Sequence, residues 1–340
     1  MLVLAVESSC DECSVAVLRD GLLLAESTET QTIHRQYGGV VPELAGRTHL
    51  ELMDRMASET IARANQTPDS LDVIAATVGP GLVGSLLVGA MYAQGLALAV
   101  GKPFVGIHHV EAHLWAAEMT AGELPLPFLV LLASGGHTLL VRVAGLREYH
   151  VLGTTLDDAL GEAYDKIGKL AGFDFPAGAA VDRVAAKGDP HAFELARPMD
   201  DGSCNFSFSG LKTAFLYRTR ALPPDVVAAR TPDLLASFQE AALESVMQKV
   251  RRAVKSTQIR ALVAAGGVAA NSQLRAKLKA AAEEAEIEYI VPPPRYCMDN
   301  AAMIAYLAWK LSQREIPASI SHPVRPRWPL SDLVEGDKAP

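Results

Sequence analysis

Apolar and polar positions along the chain fall into short runs whose order occurs twice. Leu2 to Glu7 is an apolar run, followed by a polar turn, the alternating Ser14-Val15-Ala16-Val17-Leu18, then Asp20-Gly21 and a third run, Leu22-Leu23-Leu24. Later, Phe128-Leu129-Val130-Leu131-Leu132 leads through Ala133-Ser134-Gly135-Gly136-His137 into Thr138 to Val143 and then Tyr149 to Leu152. Each copy predicts a hairpin with a further strand beside it, and each first turn is rich in Ser, Gly or acidic residues. A helical pattern follows each copy: Pro42 to Asn65, with Pro42 at the first helical position, and Asp157 to Leu170. Further strands are expected at Val73 to Val78, Phe104 to Ile107, Ala261 to Ala264 and Glu288 to Val291, with helical patterns in the gaps. Alternation of this kind predicts an α/β protein. We expect two domains of similar design around a central cleft, residues 1–126 and 127–340, with an insertion around 172–232 in the second.

The chemistry is concentrated at the edges of these elements. In His108-His109-Val110-Glu111-Ala112-His113, His109 and His113 are four residues apart, straight after the apolar run Pro103 to Ile107. On a helix, residues i and i+4 share a face, so two imidazoles there can grip one divalent cation. Glu111 falls about 200° round from His109 at 3.6 residues per turn, facing away. The zinc-protease pattern His-Glu-x-x-His instead puts its general base directly after the first His. A catalytic metal usually takes three protein ligands, and Asp299 in Cys297-Met298-Asp299-Asn300 is the best third candidate. It lies between the strand-like Glu288 to Val291 and the helical run Ala301 to Tyr306, where Asp also suits a helix N-cap. Two His and one carboxylate suit iron(II) or zinc alike.

Composition narrows the class. The chain has 340 residues, 49% of them hydrophobic and 21% charged, as in an ordinary globular enzyme of about two domains at roughly 150 residues each. Met1 to Glu7 has no basic n-region and no small-residue cleavage site, so a strand is expected there, not a signal peptide. Leu82 to Val100 is apolar enough to resemble a membrane span, but it is crowded with Gly and Ala and contains Ser85 and Gln94. We expect a helix buried between layers, and no membrane. The four cysteines make no disulfide framework, and Cys10-x-x-Cys13 sits in a hairpin and not at a helix start, so reduced thiols and a cytoplasmic setting are expected. A net charge of −8 argues against indiscriminate nucleic-acid binding and leaves room for a local basic face or a basic partner.

Three turns have the makings of a nucleotide site. Ser8, Ser9, Asp11 and Glu12 occupy the first hairpin turn, and Ser134-Gly135-Gly136-His137-Thr138 occupies its counterpart in the second half. Such turns can present consecutive backbone N–H groups to an anion. Ala265-Gly266-Gly267-Val268-Ala269-Ala270-Asn271 follows a strand and opens a helix, where glycines allow close approach and the helix N-terminus favours negative charge. Gly79-Pro80-Gly81-Leu82-Val83-Gly84-Ser85 also follows a strand, but it lacks the Gly-Lys-Ser/Thr ending of a P-loop. Its small residues are expected to let the helix start pack closely.

Taken together, several motifs resemble the tRNA N6-adenosine threonylcarbamoyltransferase family, on the actin/Hsp70/sugar-kinase fold. They are Glu7 to Glu12, Tyr37 to Ala45, Gly79 to Leu82, His108 to His113, Ser134 to Thr138, Phe206 to Thr213, Gly266 to Val268 and the tail Val324 to Leu330, in order from end to end. The resemblance implies metal ligands at His109, His113 and Asp299, for one divalent ion per subunit, Fe(2+) first and Zn(2+) second. It implies substrate contacts at Leu132, Ala133, Ser134, Gly135, Gly136, Asp165, Gly178, Asp182 and Asn271. The chain departs from the family pattern at Cys13, in place of Thr, and at Phe175-Pro176-Ala177-Gly178, in place of Tyr-Pro-Gly-Gly.

The implied reaction is transfer of the threonylcarbamoyl group from threonylcarbamoyl-adenylate to N6 of the adenosine 3′ of the anticodon, at position 37, in tRNAs reading codons that begin with adenine. AMP leaves. Asp11 or Glu12 would orient or deprotonate the amine. The implied partners are tRNA, a smaller paralogue of the same fold and a small ATPase. Two other readings compete: a metalloprotease acting on glycoproteins, against which the placement of Glu111 counts, and a small-molecule kinase on the same fold. Kinase chemistry needs no buried two-His metal site, because Mg²⁺ prefers water and phosphate oxygens.

Overall fold

The computed structural model describes residues 1–195, 201–314 and 322–333. They divide into two compact units, the first built from the chain up to Glu123 and again from Met298, the second from Leu124–Cys297.

The first unit contains β1 (Leu2–Glu7), β2 (Glu12–Arg19), β3 (Leu22–Thr30), α1 (Pro42–Arg63), β4 (Val73–Gly79), α2 (Val83–Val100), β5 (Phe104–His108), α3 (His109–Trp115) and α4 (Glu118–Ala121). The second contains β6 (Phe128–Ala133), β7 (Thr138–Gly145), β8 (Glu148–Thr154), α5 (Leu160–Leu170), α6 (Gly178–Ala185), α7 (Ser209–Arg220), α8 (Pro224–Ala229), α9 (Thr231–Ser256), β9 (Ala261–Ala265), α10 (Ser272–Glu284), β10 (Glu288–Ile290) and α11 (Pro294–Cys297). The chain then returns to the first unit with α12 (Ala301–Ser312).

The sheets run β3-β2-β1-β4-β5 and β10-β9-β6-β7-β8, which is one topology used twice. In each, the first strand pairs antiparallel with its hairpin partner and parallel with the strand that follows the first helix region of its unit or the long α9. The central strands β1 and β6 are buried along their whole length, so they are apolar throughout and do not alternate.

The expected division was 1–126 and 127–340; here α12 groups with the first unit. Helix α12 packs on β1, β2 and α3, and its first residues find hydrogen-bond acceptors only in the first unit's sequence. Ala301 N–H donates to Ser14 Oγ at 2.9 Å and Ala302 N–H to Glu26 Oε1 at 3.2 Å, while Met303 N–H is capped by Asn300 Oδ1 at 2.8 Å. Tyr306 and Lys310 both reach the buried carboxylate of Glu118.

The insertion expected around 172–232 carries α6, α7 and α8, and α6 and α7 pack on α5 and α9 in the second unit's core. Helix α2 also differs from expectation. Only a third of it is buried: Gly89, Ala90, Ala93 and Ala97 face inward, whereas Val83, Leu87, Met91 and Leu98 are exposed.

Candidate active site

In the first unit the strand-to-helix step from β5 into α3 places His109 and His113 one turn apart, both buried. Their rings meet edge to face with centroids 4.8 Å apart. Asp299 sits just ahead of α12, whose capped N-terminus holds it in place, and its Oδ1 lies 3.1 Å from His113 Nε2 and 3.4 Å from His109 Nε2. The three ligand atoms all lie within 4.8 Å of one another. Spacing named the two histidines and a strand-to-helix edge named Asp299, and the fold brings the three together.

A residue that sequence reasoning did not single out as functional completes the centre. Glu7, at the carboxyl end of β1, is fully buried, and its Oε2 stands 3.1 Å from His109 Nδ1. It also accepts hydrogen bonds from Ser9 N–H and Thr77 Oγ1. Burial opposes its charge, but the His109 imidazole and these donors outweigh that, and its carboxyl is held below the usual range. An ionised carboxylate only accepts, so His109 Nδ1 carries the proton and Nε2 presents a lone pair. That lone pair faces another acceptor, Asp299 Oδ1. Two acceptors aimed at each other are repulsive unless a cation or a proton lies between them, and His113 Nε2 converges on the same point. This donor set fits a divalent metal with an oriented His ligand.

Without a metal, protons do that work. Burial favours neutral His109, yet the charges of Asp299 and Glu7 outweigh it and raise its pKa well above the ordinary 6.5. Burial likewise opposes ionisation of Asp299, but His109 and His113 hold it well below the usual carboxylate range. Burial dominates at His113, whose pKa is lowered.

Asp11 and Glu12 lie half-buried in and after the β1–β2 turn of the same unit. Burial and the carboxylates of Asp299, Asp11 and Glu7 push the Glu12 carboxyl well above the usual range. A buried carboxyl with a raised pKa is a candidate for proton transfer. Glu111 is buried on α3, and its backbone N–H donates to His108 Nδ1 at 3.2 Å. The thiols of Cys10 and Cys13 are free, and burial pushes both up, Cys13 to about 12, so the pair is not an activated redox site.

The remaining predicted contacts lie in the second unit. Leu132 and Ala133 are buried in β6, so only their backbone can face a ligand, whereas Gly135 and Gly136 are exposed with open space where a side chain would be. Ser134 is committed to the turn: its N–H donates to His137 O at 2.8 Å and its Oγ accepts from His137 N–H at 3.1 Å.

Asp165 on α5 accepts from Ala177 N–H at 2.7 Å, just before Gly178 opens α6. Asp182 on α6 accepts from Ser272 N–H and Oγ at 3.0 and 3.1 Å. Asn271 caps α10 through Leu274 N–H at 2.8 Å, and its Nδ2 donates to Gln239 Oε1 at 2.9 Å. These separate hydrogen bonds hold the starts of α6 and α10, so Asn271 is largely occupied by the fold. Gly266 has φ +84°, and a Cβ there would collide with the Ala133 carbonyl, which ties this turn to the end of β6. Asp157, not anticipated, accepts hydrogen bonds from Ser207, Phe208 and Ser209 and fixes the Phe206 to Thr213 segment at the start of α7.

A family model described as tRNA N6-adenosine threonylcarbamoyltransferase matches residues 22–306. Curated proteins of that name are similar over nearly the whole chain. The one from Thermosipho africanus is 45% identical over 318 residues, covering 93% of this chain and 96% of its own. The one from Paramagnetospirillum magneticum is 44% identical over 348 residues, covering 100% of both. Among solved structures, T. kodakarensis HypF aligns with TM-score 0.64 at 13% identity, covering 92% of this chain and 48% of its own. Component A of the Acidaminococcus fermentans (R)-2-hydroxyglutaryl-CoA dehydratase aligns with TM-score 0.54 at 14% identity, covering 92% and 99%. These structural likenesses carry the fold alone, the actin/Hsp70/sugar-kinase arrangement of the doubled sheet.

Proposed function

The chain belongs to the tRNA N6-adenosine threonylcarbamoyltransferase family, and from that premise we propose how its residues share the reaction. The activity is threonylcarbamoyl transfer to N6 of a tRNA adenosine. The donor in this reading is threonylcarbamoyl-adenylate and the acceptor is the adenosine at position 37. N6 attacks the carbamoyl carbon, a C–N bond forms, the C–O bond to phosphate breaks, and AMP leaves with the electron pair. The N6 proton passes to a carboxylate, for which Asp11 and Glu12, both half-buried at the β1–β2 turn, are the candidates.

His109, His113 and Asp299 would hold one divalent metal, Fe(2+) or Zn(2+), which when bound supplies Lewis-acid polarisation and a template for the donor. Glu7 keeps His109 in the metal-binding tautomer. In the second unit, the exposed backbone of Gly135 and Gly136 and the Gly266–Asn271 turn would receive the adenylate. Contacts at Asp165, Gly178 and Asp182 in this reading act mainly by fixing the helix starts that frame those turns.

The observation that carries the chemistry is the convergence of both Nε2 atoms on Asp299 Oδ1, with Glu7 behind His109. We also propose that a smaller paralogue docks on the exposed apolar face of α2, that a small ATPase assists, and that the protein works in the cytoplasm, where its four free thiols stay reduced. The test is an assay of purified protein with threonylcarbamoyl-adenylate and unmodified tRNA, read by nucleoside mass spectrometry, beside casein and ATP-plus-sugar controls. Modified adenosine in the first arm alone is expected; cleavage of casein or phosphorylation of a sugar without it would refute the reading.

A further inference from the structure

We infer that residues 322–333 form a strap that positions the metal centre through His108. The inference rests on the proposed metal at His109, His113 and Asp299. The strap runs past the carboxyl ends of β4 and β5. Arg325 N–H donates to Val78 O at 2.7 Å, Gly81 N–H donates to Pro326 O at 3.2 Å, and Gln94 Nε2 donates to His322 O at 3.2 Å. Gly79 is what permits this approach, since a Cβ there would collide with the Arg325 carbonyl. The close packing expected of the Gly79 to Ser85 segment is therefore against the strap as well as at the helix start. Trp328 is buried, with its ring 4.7 Å from that of His108 and the Arg325 guanidinium 4.9 Å from the indole centroid. Its carbonyl accepts from His108 Nε2 at 2.9 Å.

His108 joins the strap to the centre. It is the last residue of β5 and the N-cap of α3, its Nδ1 accepting from Glu111 N–H at 3.2 Å. A ring whose Nδ1 accepts has its proton on Nε2, and that proton goes to Trp328 O. Both ring nitrogens are thus used, one by the helix and one by the strap, and the next residue is His109. The strap thereby fixes how α3 leaves β5, and with it the aim of His109 Nε2 and, one turn on, His113 Nε2. A segment that only covered the strand ends would need no acceptor directed at the residue that caps the metal helix. Because coupling is reciprocal, a strap that favours the metal-competent α3 must itself be held more tightly when metal is bound.

The experiment is amide hydrogen exchange of the full chain with and without Zn²⁺, with uptake followed by calorimetry on the same sample. We expect the Arg325 and Gly81 amides to exchange about tenfold more slowly in the loaded protein, at the low end of the coupling typical of groups behind a metal ligand. His108→Asn separates positioning from capping: Asn is a good N-cap, so α3 should still start, but its shorter side chain gives up the bond to Trp328 O. This variant is expected to keep a near-normal melting temperature while binding Zn²⁺ about tenfold more weakly, and its strap amides should no longer respond to metal. Wild-type affinity in His108→Asn, or identical strap exchange in free and loaded wild-type protein, would overturn the inference. Absence of any Zn²⁺ uptake by wild-type protein would overturn the metal reading and this inference with it, and the calorimetry distinguishes that result from the others.

Discussion

Glu7 has both oxygens engaged by Ser9, Thr77 and His109, so its influence on a bound metal passes entirely through the ring it orients. Glu7→Gln keeps the shape but removes the negative charge behind His109, and we expect metal affinity to fall roughly 10–100-fold, measured by chelator competition. His109→Ala and His113→Ala are expected to lose metal retention and transfer while circular dichroism stays near wild type; full occupancy in both by elemental analysis would exclude the site. Glu111→Gln, about 200° round the helix from His109, should leave metal content unchanged. The His pair and Asp299 were legible in the sequence because each marks a strand-to-helix edge. Glu7 was not, because in sequence it is only the last residue of an apolar strand, and the pairing of β1 beside β4 and β5 is what carries it to His109. The protonation of this centre also has a sign. His109, with its pKa raised above 6.5, stabilises the metal-free fold fully below pH 6.5 and loses that contribution as pH rises through its folded value. Glu12, with its carboxyl raised, adds a penalty that builds as pH rises from 4.5 towards its folded value. The melting temperature of metal-free protein should therefore fall from neutral to alkaline pH, that of loaded protein should fall less, and Glu12→Gln should be the more stable metal-free form. A flat profile for both forms would mean that the centre is not charged in this way.

At the scale of elements, the succession of strands along the chain and the doubled hairpin-plus-strand unit could be read from apolar runs alone, since burial on both faces leaves β1, β4, β6 and β9 nearly free of polar residues. Strand β3 was read too short. It continues through Glu26-Ser27-Thr28-Glu29-Thr30, a polar stretch on an edge strand whose side chains bond α1 and α12, and no hydrophobic period reports such contacts. The place of α12 was illegible for the same reason, because only its tertiary partners assign it to the first unit. Turns divide likewise into those needed by the fold and those free for a ligand. Gly266→Ala should destabilise strongly, since it places a side chain at φ +84° against the Ala133 carbonyl. Gly135→Leu meets open space, so its melting temperature should hold while AMP affinity falls roughly tenfold or more, about 1.4 kcal/mol; unchanged AMP binding by calorimetry would make this only a tight turn. Helix α2 leaves Val83, Leu87, Met91 and Leu98 exposed at 54, 42, 49 and 67%, a single stripe with nothing over it among the described residues of the chain. Leu87→Glu with Met91→Lys should leave stability within about 0.5 kcal/mol and abolish co-purification with the smaller paralogue, and undiminished pairing would move the docking face elsewhere.

For the whole molecule the governing quantity is a net charge of −8 in a protein whose substrate is a polyanion. The average field repels tRNA, so binding must rely on a local concentration of cations or on a partner that supplies one. The basic residues of α9 and α10 are poorly suited to this. Arg251 is paired with Glu244 at 3.3 Å, and Lys277 and Lys279 are paired with Glu240 and Glu283. Arg327 differs: it is exposed, has no carboxylate partner among the described residues, and stands next to Trp328, whose carbonyl binds the N-cap of the metal helix. Arg327→Ala should weaken binding to every tRNA sequence about equally and reduce the slope of log affinity against log salt by about one, with metal content unchanged. A single such contact is too little to overcome the repulsion of the whole chain. Affinity for tRNA and multiple turnover should therefore rise sharply when the smaller paralogue and the ATPase are added, and more so at low salt. Gel-shift and turnover assays across a salt series, with and without partners, decide the matter. Full turnover by the isolated chain, with no gain from partners, would show that it recruits tRNA against its own charge by a surface other than this one.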